Sequence, residues 1–294
     1  MKRRQTVRRL EIIGIVAVVA ISLGVGFYLA LNASNGASSG NPVPQKVYDA
    51  LYQTSVAPYG GSGSAYLKDV QNYSGYPFST NGRPILVFVG ADYCMYCAIQ
   101  RWSLVMALMR FGNFTGLDYM YSSVSDGNYA TFTFSNSSYH SNYIVFQPYE
   151  VYDRAGNALK TLPTNYTSVF QAVGKSSFPF LNFNDEFTIS GAILDPSILG
   201  TMNQTKIISS IQAGGTLGSE IRESANLITA VICKTTGGSP ESVCGQSSIS
   251  TVTDALVSYS PPSASSGSEL LLAGTSLTVS SGTFVYGRDY SGWN

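Results

Sequence analysis

Apolar residues fall along this chain in three kinds of pattern. Residues 12–31 form an uncharged run, preceded by a basic cluster and followed by no charge until Lys46. Residues 84–90, Pro-Ile-Leu-Val-Phe-Val-Gly, are apolar without alternation, as a central strand covered on both faces would be. From Cys97 to Gly112 the chain is apolar around most of a helical circumference, with no proline and few β-branched residues. That pattern predicts a helix packed on several sides. Gly112 is placed to give it a left-handed C-terminal cap.

Shorter patterns complete the picture. They predict a helix over 46–54, strands over 117–122, 131–134 and 143–152, and a hairpin turn over 153–157. A helix is expected near 166–173, then a hairpin turning at Asn184-Asp185, then helices over 195–213 and 219–235. Strands alternating with helices make this an α/β domain.

The candidate chemistry lies where the 84–90 strand meets the long helix, at Cys94 and Cys97. A helix starting near Cys94 turns unsatisfied N–H groups and the positive end of its dipole toward the first sulfur. Both stabilise a thiolate, the species that attacks disulfides. Cys97 lies one turn deeper, within reach to close a ring with Cys94.

In that setting Cys94-Met95-Tyr96-Cys97, led by Val89-Gly90-Ala91-Asp92-Tyr93, resembles the active site of the thioredoxin superfamily. Phe178-Pro179-Phe180-Leu181-Asn182-Phe183 stands where that superfamily has a cis-proline opening a strand opposite the active site. The resemblance implies a thioredoxin-like central sheet flanked by helices, with residues 123–164 as a β-rich insertion. It implies Cys94 as nucleophile, Cys97 as resolving thiol, a redox disulfide between them, and Pro179 and Tyr96 lining the substrate cleft. It implies no cofactor and no metal. The chain departs from the pattern at Phe88, where thioredoxin has a buried aspartate, so proton transfer to Cys97 needs another group, with Asp92 or a water as candidates. Met95 and Tyr96 are uncharged, so the dipeptide does not report a redox potential. More narrowly, residues 66–244 are similar to an archaeal family of membrane-anchored thioredoxin-like proteins classed as a domain of unknown function. That likeness implies a fold and no substrate.

Charge adds a compartment. Lys2, Arg3, Arg4, Arg8 and Arg9 stand against Glu11 ahead of the uncharged run, and its twenty residues as a helix span about 30 Å. By the positive-inside rule the basic tail (1–11) stays cytoplasmic, 12–31 is a single transmembrane helix, and the main domain is extracytoplasmic at the cell membrane. A cleaved signal peptide is the rival, with small residues at 30–33, but the run is longer than a signal core and favours an anchor. The formal net charge of zero hides an asymmetry: beyond the tail stand 12 basic and 16 acidic residues. So sparse and mildly acidic an exterior argues against nucleic acid as a partner.

Four cysteines beyond the anchor fit a disulfide-permissive compartment. Cys233 and Cys244 flank a Gly-Gly-Ser-Pro loop after an amphipathic helix, and their closure is worth about 3 kcal/mol. A structural disulfide is expected there, with a redox relay to the first pair as the alternative. Their spacing is too wide for a zinc knuckle. His140 is the sole histidine and is expected in a solvated loop, so a His-rich metal site is excluded.

The expected organisation is a flexible spacer over 32–65, a thioredoxin-like domain over 66–246, and a Ser/Gly-rich linker with a strand-like tail over 247–294. The expected function is a membrane-anchored thiol–disulfide oxidoreductase acting on exported proteins or a membrane redox partner. The alternative is a non-enzymatic binding or surface-assembly module with structural disulfides, which the aromatic, Asn/Ser-rich insertion and tail would suit.

Overall fold

The computed structural model describes residues 40–256 apart from 74, 76 and 78, together with the backbone of 270–272 and 275–277. The chain divides into two units, Met1–Tyr259 and Ser260–Asn294. In the first, β1 (Asn41–Pro42) precedes α1 (Gln45–Val56), and a 3-10 turn at Ser64–Asp69 leads into β2 (Val70–Asn72), β3 (Ser79–Thr80) and β4 (Arg83–Ala91). Then come α2 (Met95–Met109), β5 (Gly112–Thr115), β6 (Asp118–Tyr121), β7 (Ala130–Thr133), β8 (Ser138–Ser141) and β9 (Val145–Tyr152). The remainder is α3 (Thr164–Ala172), β10 (Phe180–Phe183), β11 (Phe187–Ser190), α4 (Gln204–Ala213), α5 (Thr216–Thr235), α6 (Glu241–Cys244) and α7 (Ser247–Ala255). The second unit contributes an antiparallel pair, β12 (Leu270–Leu272) and β13 (Thr275–Leu277).

The architecture is mixed α/β around a six-stranded sheet ordered β2-β11-β10-β4-β3, with β9 also paired to β4. Beta4 is central for the reason its sequence gives: successive side chains point to opposite faces, and both faces are covered. Ile85, Val87 and Val89 pack with Tyr166, Val169 and Phe170 of α3. Leu86 and Phe88 join the larger cluster with α2 and α5. On one edge β10 runs antiparallel to β4, with Phe180 opposite Val89. On the other, β9 runs parallel to it from Ile85–Val145 onward. Every residue of α2 from Cys97 to Met109 is buried, matching its largely apolar circumference.

Several expectations are corrected. The helix ends at Arg110, whose N–H bonds back to Ala107 and Leu108, and Gly112 caps nothing. That glycine opens β5 instead, where an added Cβ would stand 2.1 Å from the His140 carbonyl oxygen of β8. His140 is accordingly in a strand rather than a loop, paired with Asn113 and exposed. The segment read as a 123–164 insertion carries β9, a strand of the central sheet; parallel pairing to β4 needs a long crossover, and β5 to β8 lie along it. The turn at 153–157 follows β9 but joins it to no second strand, only to an isolated bridge between Tyr152 and Ala158. The 195–213 helix is two pieces, a 3-10 turn at Pro196–Leu199 and then α4, parted at Gly200 with φ of 52°. The spacer is ordered from residue 40: β1 pairs with β6, and Leu51 of α1 is buried. The domain also runs past 246, because α7 buries Ile249 and Val252. The tail, the anchor and the linker at 257–269 lie outside the described residues. Among the described residues no helix is long and apolar enough to cross a membrane.

Candidate active site

Cys94 is the N-cap of α2. Its sulfur accepts the N–H of Cys97 at 3.2 Å, so one of the helix's orphan donors is aimed at the thiol. Cys94 is 6% exposed and Cys97 is fully buried. The two titrate apart. The Cys94 thiol is lowered by its hydrogen bond with the Cys97 side chain, against burial, with further lowering from backbone N–H groups and the Arg101 charge. The Cys97 thiol is pushed well up, first by burial and then by its neighbour Cys94, with Arg101 opposing. The two thiols are thus displaced in opposite directions, Cys94 toward the thiolate and Cys97 away from it. Both cysteines are free thiols, the reduced form of such a pair.

Beneath them is a buried ionic cluster. Arg101 lies four residues after Cys97, on the same face of α2. Its Nε and Nη2 donate to the two carboxylate oxygens of Glu150 at 3.0 and 2.6 Å, and Nη2 also donates to the Ala91 carbonyl at 3.0 Å. Asp92 stands 3.6 Å from the same guanidinium nitrogen, and the Phe88 ring lies 5.6 Å from the guanidinium carbon. Burial pushes Glu150 up to about 7 while Arg101 pulls it down. Burial opposes the Arg101 charge, and Glu150, Cys97 and Asp92 outweigh it. Glu150 arrives here because β9 pairs with β4, which sets it opposite Gly90.

The mouth of the site is aromatic. Tyr96 is 50% exposed between the cysteines, and Val124, Tyr152 and Tyr121 are the other exposed large apolar side chains among the described residues. The 123–128 loop is tied to the cysteine turn by the Ser123 N–H on the Tyr93 carbonyl. Tyr93 meets Tyr152 at 6.1 Å between ring centroids, and Tyr152 meets Phe178 at 6.2 Å. That chain of rings leads to the Phe178–Pro179 bond, which is cis. The Pro179 carbonyl accepts from Gly191, and the β10–β4 register carries Pro179 to the end of β4 from which the cysteine turn departs. Arg154, the cation on this side, is spent on the carbonyls of Tyr121 and Ser122 and on Asn128.

Cys94, Tyr96 and Cys97 thus share one turn, and the ring chain connects them to Pro179. Cys233 and Cys244 are on other elements, joined as a disulfide between the end of α5 and α6 with a Cα separation of 5.5 Å. No group of three or more potential metal ligands occurs among the described residues. Sequence reasoning missed Arg101 and Glu150. The available signal was a lone basic residue inside an otherwise uncharged helix.

The family model described as a domain of unknown function (DUF929) matches residues 69–234, a span that includes both catalytic candidates, Glu150 and Pro179. No curated protein and no solved structure matches the chain.

Proposed function

The chain belongs to the DUF929 family, and for it we propose a membrane-anchored, extracytoplasmic thiol–disulfide oxidoreductase with a thioredoxin-like core. One observation carries this reading: a lowered Cys94 thiol at the start of α2, paired with a buried, raised Cys97 one turn below. The cis Phe178–Pro179 bond and the mixed order of β10, β4 and β9 support the core arrangement.

The exchange needs no cofactor. The Cys94 thiolate attacks a substrate disulfide, forming a mixed disulfide and expelling one substrate sulfur as a thiolate that takes up a proton. Cys97 then loses its proton and attacks the Cys94 sulfur, releasing the second substrate thiol and leaving a Cys94–Cys97 disulfide. Two electrons pass to the substrate, and the reverse sequence oxidises it. The rim of Tyr96, Tyr152, Val124 and Tyr121 favours exported polypeptides with apolar residues beside their cysteines. A small anionic thiol would find the nearby Arg154 already occupied. A membrane redox partner would close the cycle.

Cys97→Ser should accumulate mixed disulfides with exported proteins, because the resolving sulfur is gone, and Cys94→Ser should accumulate few. Diagonal gels of membrane fractions read this directly. If neither variant traps anything and reduced Cys94 alkylates like a free thiol, the exchange reading is lost, and a binding module with the pair as scaffold replaces it.

A further inference from the structure

A solvent cavity reaches the buried ionic cluster by a route that the cysteine turn does not line. It has a volume of about 200 Å3 and is bounded by Glu150 with Ser135, Asn136, Pro148, Leu159 and Lys160. Ser135, Asn136 and Lys160 are exposed, whereas Glu150 is 2% exposed. The space is ample for water, which needs only about 10–15 Å3 and a few polar partners. Glu150 is therefore an acid in contact with two environments, Arg101 on the protein side and this cavity.

The groups facing Glu150 come from four places. Arg101 of α2 binds both its oxygens. Asp92, just after β4, shares Arg101 and disfavours the Glu150 charge. The Phe134 N–H, just after β7, bonds to it. Lys160, beyond β9, feels its charge but spends its ammonium on the Pro148 carbonyl at 2.7 Å. Arg101 is also the one cation acting on both cysteines.

We propose that Glu150 is the charge partner of Cys97: as Cys97 gives up its proton to attack the Cys94 sulfur, Glu150 holds one drawn from the cavity, and Arg101 is the fixed cation between them. This rests on the exchange reading above. The reasoning is electrostatic. An ionised Glu150 neutralises Arg101 and leaves a Cys97 thiolate unsupported in a buried site. A protonated Glu150 frees the Arg101 charge for that thiolate. Release of the Cys97 proton to solvent, matched by uptake of one from the cavity at Glu150, leaves the total charge of the cluster unchanged, so the low-dielectric interior holds no added charge in the reactive form. Glu150 acts through Arg101 and is a positioning residue.

Coupling of this kind has a kinetic signature. The reactive species is the Cys97 thiolate with Glu150 protonated. Its population rises tenfold per pH unit until Glu150 itself ionises near 7, then levels off. With 5,5′-dithiobis(2-nitrobenzoate) as probe, the reduced protein should release one thionitrobenzoate as Cys94 is modified, and a second as Cys97 closes the disulfide. The second phase should bend near neutral pH in the wild type and in Glu150→Asp. In Glu150→Gln it should keep rising, about tenfold faster than wild type one pH unit above the bend. If Glu150→Gln shows the wild-type bend, the coupling is overturned. Should that variant not fold, a wild-type rate climbing without a bend through neutrality overturns it equally. Absence of the first release is a separate result: it removes the exchange reading, and this inference with it.

Discussion

Arg101 sits fully buried in a helix that carries no other charge before Arg110. A charge at that depth persists because it is paired, and removing one partner strands the other. Arg101→Met should therefore destabilise the fold by about 3–5 kcal/mol, with much of the loss recovered in Arg101→Met/Glu150→Leu. Urea midpoints of the three proteins test this. The same substitution should raise the Cys94 thiol, since Arg101 is one of the groups lowering it. Glu150 adds a pH dependence of defined sign. Its folded carboxyl lies near 7, above the ordinary 4.5, so between those values the folded chain holds a proton that the unfolded chain releases. The corresponding stability is present below about 4.5 and lost as pH rises through about 7. Wild type should thus lose stability from pH 5 to 7 relative to Glu150→Gln, and parallel melting curves across that range would refute it. The cysteines were legible in the sequence because their activation is local: a strand end, a turn and a helix start. Arg101 with Glu150 was not, because the partners stand 49 positions apart and meet only through the β4–β9 register.

Elements whose burial is uniform were read well, and those defined by long-range contact were not. Beta4 and α2 announce themselves through largely apolar runs, and the structure buries β4 from Ile85 and α2 from Cys97 onward. Gly112 misleads because glycine serves two purposes. Here the need is close approach of β5 to β8 rather than a positive φ, and only the fold distinguishes them. Alpha7 was hidden in a Ser/Thr-rich segment. Its apolar face is Ile249, Val252 and Leu256, while the hydroxyls of Thr251 and Thr253 bond back to carbonyls one turn earlier. The Cys233–Cys244 disulfide closes this end of the domain, tying α5 to α6. Cys233 is fully buried and Cys244 nearly so, which shields the bond from reductant. Replacing both by alanine should cost about 3 kcal/mol in urea unfolding while leaving the rate of Cys94 alkylation unchanged. A slowed Cys94 would instead mean that the second pair feeds the first.

At the scale of the whole molecule, the two sides of the site have different neighbours. Beside Cys94 stand the exposed Tyr96 and, through Tyr93, the exposed Tyr152, and the Glu150 cavity opens among Ser135, Asn136 and Lys160. For the proposed exchange, a polypeptide held at one opening would leave the other free for protons to equilibrate, so a bound substrate need not seal the cluster from solvent. The proposed extracytoplasmic topology rests on the basic tail and the uncharged run at 12–31. The topology is open to a direct measurement on intact cells. After mild reduction, a charged maleimide that does not cross membranes should label Cys94, and labelling should disappear in Cys94→Ser. The buried Cys97 and the Cys233–Cys244 disulfide should contribute little signal. Labelling that appears only after lysis would put the domain on the cytoplasmic side. In that reducing environment the Cys233–Cys244 bond would lose its oxidant, and exported proteins would no longer be within reach of Cys94.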